Sequence, residues 1–430
     1  MGSDWRLKNR IFYGWVIVGA SLVIVLILVG IRFSFGVFFN SLELEFGLNR
    51  AATSSVFSVY MILAGVFGIV NGWALDRYGP KLVLALMGLF TGLGLLITGF
   101  TSSLWQLFIS YSLLVAIGTA GTVPLLTSII SRWFDRKRGI AVGIATSGTG
   151  LGTIILAPLA AYLISTVGWR WSYVVVGVAG GLVVIALAML LRRGATESGV
   201  LPDGAISIGG NAGLIGGGEE LQPAGLSFRQ AFSTRSFWLL LSIWLLFASC
   251  LGLVMTHIVP YAMDAGISTL EASTVLSVMG GFQILARLAV GRISDVTGRK
   301  LPGVTSVLFG IGALIWVIWS DNLSMFYVFA VSFGICYGGF AVVNLTMVGD
   351  SFGGRSLGTI MGIMNAGYSV GLAIGATLGG FIFDVTGSYV VAFAIAAAVM
   401  LITGLLVIFI RHEMAIKTDN YFPDDVIRVN

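Results

Sequence analysis

Apolar residues run along this chain in blocks of about twenty, the length an α-helix needs to cross the hydrocarbon of a bilayer. Twelve such runs are read, near 13–40, 52–75, 82–100, 104–131, 138–165, 170–191, 237–263, 269–291, 301–320, 323–349, 356–383 and 387–410. Most connections between them are short. The exception is 192–236, where GAISIGGNAGLIGGGEELQPAG is rich in Gly and has no hydrophobic period. That stretch reads as a disordered linker. The expected fold class is therefore all-α membrane protein, with an N-terminal six-helix bundle (1–191), a cytoplasmic linker (192–236), a C-terminal six-helix bundle (237–411) and a cytoplasmic tail (412–430).

The pattern is written twice. GWALDRYGPK, Gly72 to Lys81, recurs 219 residues later as GRISDVTGRK, Gly291 to Lys300. Both read G-x-x-x-D-x-x-G-x-K after a long apolar run, with Gly72, Asp76, Gly79 and Lys81 matching Gly291, Asp295, Gly298 and Lys300. The offset continues: Arg136, Gly143, Gly148, Gly152 and Gly168 recur as Arg355, Gly362, Gly367, Gly371 and Gly387. Two halves on one plan mark a two-repeat secondary transporter, with its site expected between the halves. In each loop, Gly permits a tight turn. The Asp is placed to cap a neighbouring helix or pair with a basic residue.

Composition agrees with a bilayer as solvent. Of 430 residues 57% are hydrophobic and 10% charged, and the mean hydropathy is +0.98. A water-soluble domain carries about 25% charged residues. The pI near 9.3 does not imply nucleic acid, because the basic residues sort by membrane side. With the N-terminus cytoplasmic, Arg50 and Arg170 face outside, Arg32 and Arg287 lie within spans, and the other twenty of the 24 Lys and Arg are cytoplasmic. The positive-inside rule then places both termini and the linker inside. Glu43, Glu45, Asp264, Glu271, Asp321 and Asp384 mark the opposite face. The first apolar run is too long for a cleavable signal peptide. Cys250 and Cys336 stand singly in apolar runs and read as packing residues.

The duplicated loop resembles the signature of the major facilitator superfamily, which implies that fold and a role for both copies in gating. A narrower likeness lies in RWFDRKRGIAVGIATSGTGLG, Arg132 to Gly152. Through Phe134, Arg136, Lys137, Arg138, Ala141, Gly143, Ala145 and Gly148 it resembles the monocarboxylate transporter signature. IFYGWVIVGA, with Gly14-Trp15-Val16, resembles that family's first signature, although the acidic residue preceding it in animal members is absent. The chain is thus identified as resembling a bacterial member of the lactate and pyruvate transporter family, which implies an inner-membrane location.

Charges inside spans decide the expected chemistry. A charge at mid-bilayer costs about 3 kcal/mol even on permissive scales, so it faces a cavity and is functional by default. Every Asp and Glu falls in a loop, a tail or a span end, leaving Arg32, Arg287 and the titratable His257. Arg287 lies eight residues before Asp295, hence roughly 12 Å deep. A buried Arg calls for an anion, and the simplest is a substrate carboxylate, which the planar guanidinium fork matches with two hydrogen bonds. The competing reading is an interhelical clamp onto backbone carbonyls. The resemblance agrees with substrate: animal carriers have an Asp-x-x-x-Arg pair in span 8, and Arg287 matches its Arg. Gln283 stands at the Asp position, so the proton relay of that pair is not transferred. Those carriers also have a span-1 Lys; here Phe33 aligns with it and Arg32 is its neighbour, a candidate second cation or a snorkelling side chain.

His257, with an unperturbed imidazole pKa near 6.5, is the expected proton carrier, against the alternatives of a neutral core histidine or a protonated substrate. Asn365 and Tyr368, three apart and so on one helical face, Tyr337, Tyr111, Thr119 and Ser147 are candidates to complete the pocket, with Gln283. Span 11 lacks the Lys found in oxalate–formate exchangers, and one central cation favours one carboxylate. No phosphate-binding loop, metal cluster or intramembrane acid/base pair suggests an enzyme, and no cofactor or metal is expected. The expected function is proton symport of small monocarboxylates of the lactate and pyruvate type by alternating access. The runners-up are an oxalate/formate-type organic anion exchanger and a carboxylate-sensing membrane receptor. Expected partners are the small acid, a proton and the lipid bilayer, without nucleic acid; the sequence leaves oligomeric state open.

Overall fold

The computed structural model describes residues 12–134, 137–192, 226–353 and 356–410. Span 1 is bent. Helices α1 (Tyr13–Phe33) and α2 (Phe35–Phe46) meet at Ser34, whose hydroxyl donates to the Gly30 carbonyl at 2.7 Å and competes with the helical ladder. Then follow α3 (Arg50–Tyr78) and α4 (Pro80–Thr98). Span 4 is discontinuous: α5 (Leu104–Leu107), a π-helical segment (Phe108–Val115), α6 (Ala116–Thr119) and, after an extended Ala120 and a left-handed Gly121, α7 (Thr122–Ser131). Helix α8 (Arg138–Ala188) is 51 residues long, but Gly168 with φ 81° and ψ 163° breaks it into spans 5 and 6. Length and hydropathy alone separate eleven candidate spans; the Gly168 break makes the count twelve.

The second half repeats the plan with α10 (Arg235–Asp264), α11 (Thr269–Thr297), α12 (Lys300–Val317), α13 (Leu323–Phe352), α14 (Leu357–Thr386) and α15 (Val390–Ile408), preceded by the short α9 (Phe228–Phe232). Of the expected linker, 193–225 lies outside the described residues, as do Arg136, Arg355 and the tail from 411. The linker's end is structured. Ser227 and Gln230 form a reciprocal capping box on α9, the Leu226 N–H donates to the Phe352 carbonyl at 2.9 Å, and Phe232 stacks edge-on to Trp238 at 5.0 Å.

The 219-residue repeat is physical. In the first half α1 crosses α8 where a Cβ on Gly148 would come 2.5 Å from the Leu22 carbonyl, and one on Gly152 2.5 Å from that of Leu26. In the second half α10 crosses α14 at the equivalents: a Cβ on Gly367 would reach the Leu241 side chain at 2.6 Å, and one on Gly371 would collide with the Leu245 carbonyl. Leu22, Leu26, Gly148 and Gly152 map onto Leu241, Leu245, Gly367 and Gly371 at the same offset. Small residues let the backbones approach where lipid gives no hydrophobic drive. Gly79 (φ 87°) and Gly298 (φ 80°), the second glycines of the two motif loops, both adopt the left-handed backbone that favours glycine.

The described residues form two compact units, one holding 12–34 and 66–192, the other 35–65 and 226–410. The division does not follow the repeat boundary. Segment 35–65, at the far ends of spans 1 and 2, belongs with the second unit, where α2 packs on α10.

Candidate functional site

In the second unit, α11 packs along α13, and Gly338 sets the approach: a Cβ there would collide with the Gln283 carbonyl. One turn beyond Gln283, Arg287 is half-buried, and the phenols of Tyr337 on α13 and Tyr368 on α14 lie within electrostatic reach of its guanidinium. Tyr337 is 6% exposed, and its ring lies tilted to that of Phe247 at 6.4 Å between ring centres. Tyr368 meets Trp244 edge-on at 6.1 Å. Gln283 is 2% exposed, and its Nε2 has no hydrogen-bond partner among the described residues. A guanidinium and two phenols thus approach one another from α11, α13 and α14, with the Gln283 amide one turn before Arg287 on α11. Asn365 lies three residues before Tyr368 on α14 and is partly exposed.

Sequence reasoning missed Trp244. Its Nε1 is buried without a hydrogen-bond partner among the described residues, beside Tyr368. A tryptophan in an apolar run gives no signal to separate it from a lipid-facing ring. The spacing Trp244-x-x-Phe247, one face of α10, was the available clue.

The candidates of the first unit are engaged locally. Tyr111 is 2% exposed, in the π-helical segment, with its ring 6.1 Å from that of Tyr173. The Thr119 hydroxyl donates to the Val115 carbonyl at 2.9 Å, and the Ser147 hydroxyl to that of Ile144 at 2.6 Å. Arg32 donates from Nη2 to the Thr119 carbonyl at 3.1 Å, at the break in span 4. Asn71 donates to the carbonyls of Ile117 and Ala120 at 3.0 and 3.1 Å. Arg32 and Asn71 therefore satisfy carbonyls that the broken helix leaves open.

His257 is fully buried. Its Nε2 lies 2.8 Å from the Ala376 carbonyl, which can only accept, so that nitrogen carries the proton. Nδ1 is 3.0 Å from the Tyr389 hydroxyl and can accept from it. Ser54 Oγ lies 3.3 Å from Nε2, and Phe39 meets the ring edge-on at 5.2 Å.

Each motif loop carries an ion pair among the described residues. In the first, Asp76 at the end of α3 pairs with Arg132 at 2.8 Å. In the second, Arg299 pairs with Asp350 on α13 at 3.0 Å and donates to Ser294 Oγ at 2.8 Å. Lys300 donates to the Ile408 carbonyl at 3.0 Å, capping the end of α15. The signatures at Gly14-Trp15 and at Phe134 meet: Trp15 stacks edge-on to Phe134 at 5.0 Å, and a Cβ on Gly14 would lie 2.9 Å from that ring. They fasten α1 to the turn before α8.

The family model described as "Major Facilitator Superfamily" matches residues 20–319 and 303–424. Monocarboxylate transporter 13 of Rattus norvegicus is 27% identical over 427 residues, covering 96% of this chain and 93% of the relative. Monocarboxylate transporter 4 of Mus musculus is 26% identical over 411 residues, covering 92% and 83%. Among solved structures, a bacterial homolog of the human lysosomal transporter Spinster, inward-facing and unoccupied, superposes with a TM-score of 0.69 at 19% identity, covering 97% of this chain and 98% of that one. With its twelve spans and repeated loop, this chain is an integral membrane transporter, not an enzyme, and it belongs to the major facilitator superfamily.

Proposed function

We propose that the protein carries small monocarboxylates of the lactate and pyruvate type by proton symport, its two six-helix halves alternating access. The observation that carries this reading is Arg287, half-buried on α11 with the phenols of Tyr337 and Tyr368 beside it. The guanidinium fork takes one carboxylate through two parallel hydrogen bonds, and phenol hydroxyls supply further donors to the same oxygens. The relatives named monocarboxylate transporters support the same substrate class. In this reading both termini are cytoplasmic, from the distribution of Lys and Arg, and the membrane is the bacterial inner membrane.

His257 is the proposed proton carrier. As the neutral Nε2–H tautomer it has both ring nitrogens engaged, so it gains a proton only when the Tyr389 hydroxyl turns from donor to acceptor at Nδ1. The test of the substrate reading is uptake of labelled lactate into proteoliposomes under imposed pH gradients, comparing wild type with Arg287→Lys. A point ammonium cannot reproduce the fork. Losing one charge-assisted hydrogen bond, about 2–3 kcal/mol, lowers transport efficiency by roughly 30–150-fold. Near-normal lactate affinity in the Lys variant would remove Arg287 from the site.

A further inference from the structure

The face that α10 turns toward Tyr337 and Tyr368 is aromatic, and one atom of it is unmatched. Trp244 and Phe247, three residues apart, share that face. Each flanks a different phenol: Trp244 meets Tyr368 on α14 at 6.1 Å between ring centres, and Phe247 meets Tyr337 on α13 at 6.4 Å. Both phenols lie within electrostatic reach of the Arg287 guanidinium. Phe247 is buried and also packs on Phe340 at 4.7 Å, so the face is turned into the protein and not toward lipid. The depths agree as well. Trp244 lies nine residues from the start of α10, and Arg287 ten residues from the end of α11, its neighbour joined to it by the short turn 265–268. At 1.5 Å per residue both stand roughly 14–15 Å from the same side.

An indole nitrogen donates and does nothing else. Trp244 Nε1 is buried and meets no acceptor among the described residues, and Gln283 Nε2, one turn before Arg287, is in the same condition. A buried tryptophan N–H normally finds a partner, because a buried donor left unmade costs its full desolvation. The surroundings of Arg287 thus hold donors in surplus over the acceptors that the described residues supply. A ligand that fits them is rich in acceptors. A carboxylate on the guanidinium fork uses its two oxygens there and leaves the indole unanswered. A third oxygen answers it. Since Tyr368 adjoins both the indole and the guanidinium, that oxygen belongs close to the carboxylate, and the carbon next to the carboxylate places it nearest.

We propose that Trp244 is a specificity-determining residue: its indole N–H donates to an oxygen on C2 of the substrate, so that 2-hydroxy and 2-oxo acids are selected over plain alkanoates. This assignment rests on the reading of Arg287 as the carboxylate site and names a second contact of that site. The phenols do not make the same choice, because a hydroxyl both donates and accepts and can rotate to suit either. The indole offers one donor from a rigid ring, which a hydroxyl or a keto oxygen satisfies equally and a methylene does not. Nε1 is closed off in the state described, and the Tyr368 ring beside it turns aside as the substrate enters.

The test is inhibition of labelled lactate uptake into proteoliposomes by unlabelled lactate, pyruvate, propionate and 3-hydroxypropionate, the last an isomer of lactate with its hydroxyl moved one carbon away. In wild type, lactate and pyruvate should inhibit at concentrations about tenfold below those of propionate, with 3-hydroxypropionate grouped with propionate. Trp244→Phe keeps an aromatic ring and removes the donor. The preference should shrink to within about twofold, through weaker inhibition by lactate and pyruvate and not through stronger inhibition by propionate. Trp244→Leu, also without a donor, repeats the test if the Phe variant does not fold. Trp244→His restores a ring N–H and should recover part of the preference, which a purely structural role would not produce. Equal inhibition of wild type by lactate and propionate or by lactate and its isomer, or donor-free variants that keep the wild-type preference, would overturn the assignment and leave the carboxylate site to be judged by Arg287→Lys. A wild type that takes up no lactate would overturn both.

Discussion

The crossing of α1 with α8 and the crossing of α10 with α14 are one design made twice, glycine against leucine at the same offset. The polar residues laid on that frame are not duplicated. At 219 residues before Arg287 stands Gly68; before Tyr337, Gly118; before Tyr368, Thr149; before Gln283, Ala64; before His257, Phe38. The scaffold is duplicated, and the proposed site around Arg287 is not. Physical reasons favour the inequality. A second central guanidinium would need a second anion to offset its desolvation, so the proposed site for a single carboxylate is served by one.

The comparison makes unequal demands on mutation. Duplicated positions should respond alike, and unduplicated ones should act from one side only. Gly152→Val and Gly371→Val should do most harm, because each drives a side chain into a leucine carbonyl across the crossing. Each should cost about 3 kcal/mol or more of overpacking, read as loss of monodisperse protein and a lowered melting temperature. A mild effect at one and collapse at the other would break the equivalence of the repeats.

Smaller effects are expected at the motif loops. The Asp76–Arg132 pair is exposed, and such pairs contribute at most about 1 kcal/mol. Asp76→Asn and Asp295→Asn should slow turnover by no more than about fivefold while leaving equilibrium binding intact, since gate residues shift state populations rather than substrate contacts. Weak binding with normal turnover in both would contradict a gating role.

The least visible change is expected from His257→Gln, which keeps hydrogen-bonding capacity and cannot hold a second proton. Substrate exchange should persist, and accumulation driven by a pH gradient should fade. A wild-type pH profile in that variant would pass the proton to the substrate carboxylate beside Arg287.

The sequence announced Arg287 because a charge inside an apolar run is costly enough to demand a reason. It hid Arg50, which stands at a span end where a charge costs little and reads as part of the outer face. Besides its sequence neighbour Glu43, Arg50 meets Asp264 through its guanidinium and Asp384 through its backbone N–H, 214 and 334 residues away, and nothing local says which distant acid meets which base. The twelve apolar runs were readable from length, although spans 5 and 6 share a helix interrupted only at Gly168. The capping box at Ser227 and Gln230 was also legible, but it was lost in the Gly-rich stretch before it. The engagement of Arg32 was not read, although the break that creates its acceptor is marked by Gly118, Gly121 and Pro124, whose missing N–H leaves the Ala120 carbonyl without its helical donor.

That break has a consequence for how the protein is made. Lipid offers no donor to an open carbonyl, and each one left in hydrocarbon costs several kcal/mol. Span 4 exposes carbonyls at Ile117, Thr119 and Ala120; the Thr122 hydroxyl of the same span meets that of Thr119 at 2.7 Å, and the other donors, Arg32 and Asn71, come from spans 1 and 2. Those spans leave the ribosome first. When residues 104–131 emerge, their caps are already in the membrane, so the segment can pass from the translocon directly onto a waiting pair of helices and need never dissolve in lipid alone.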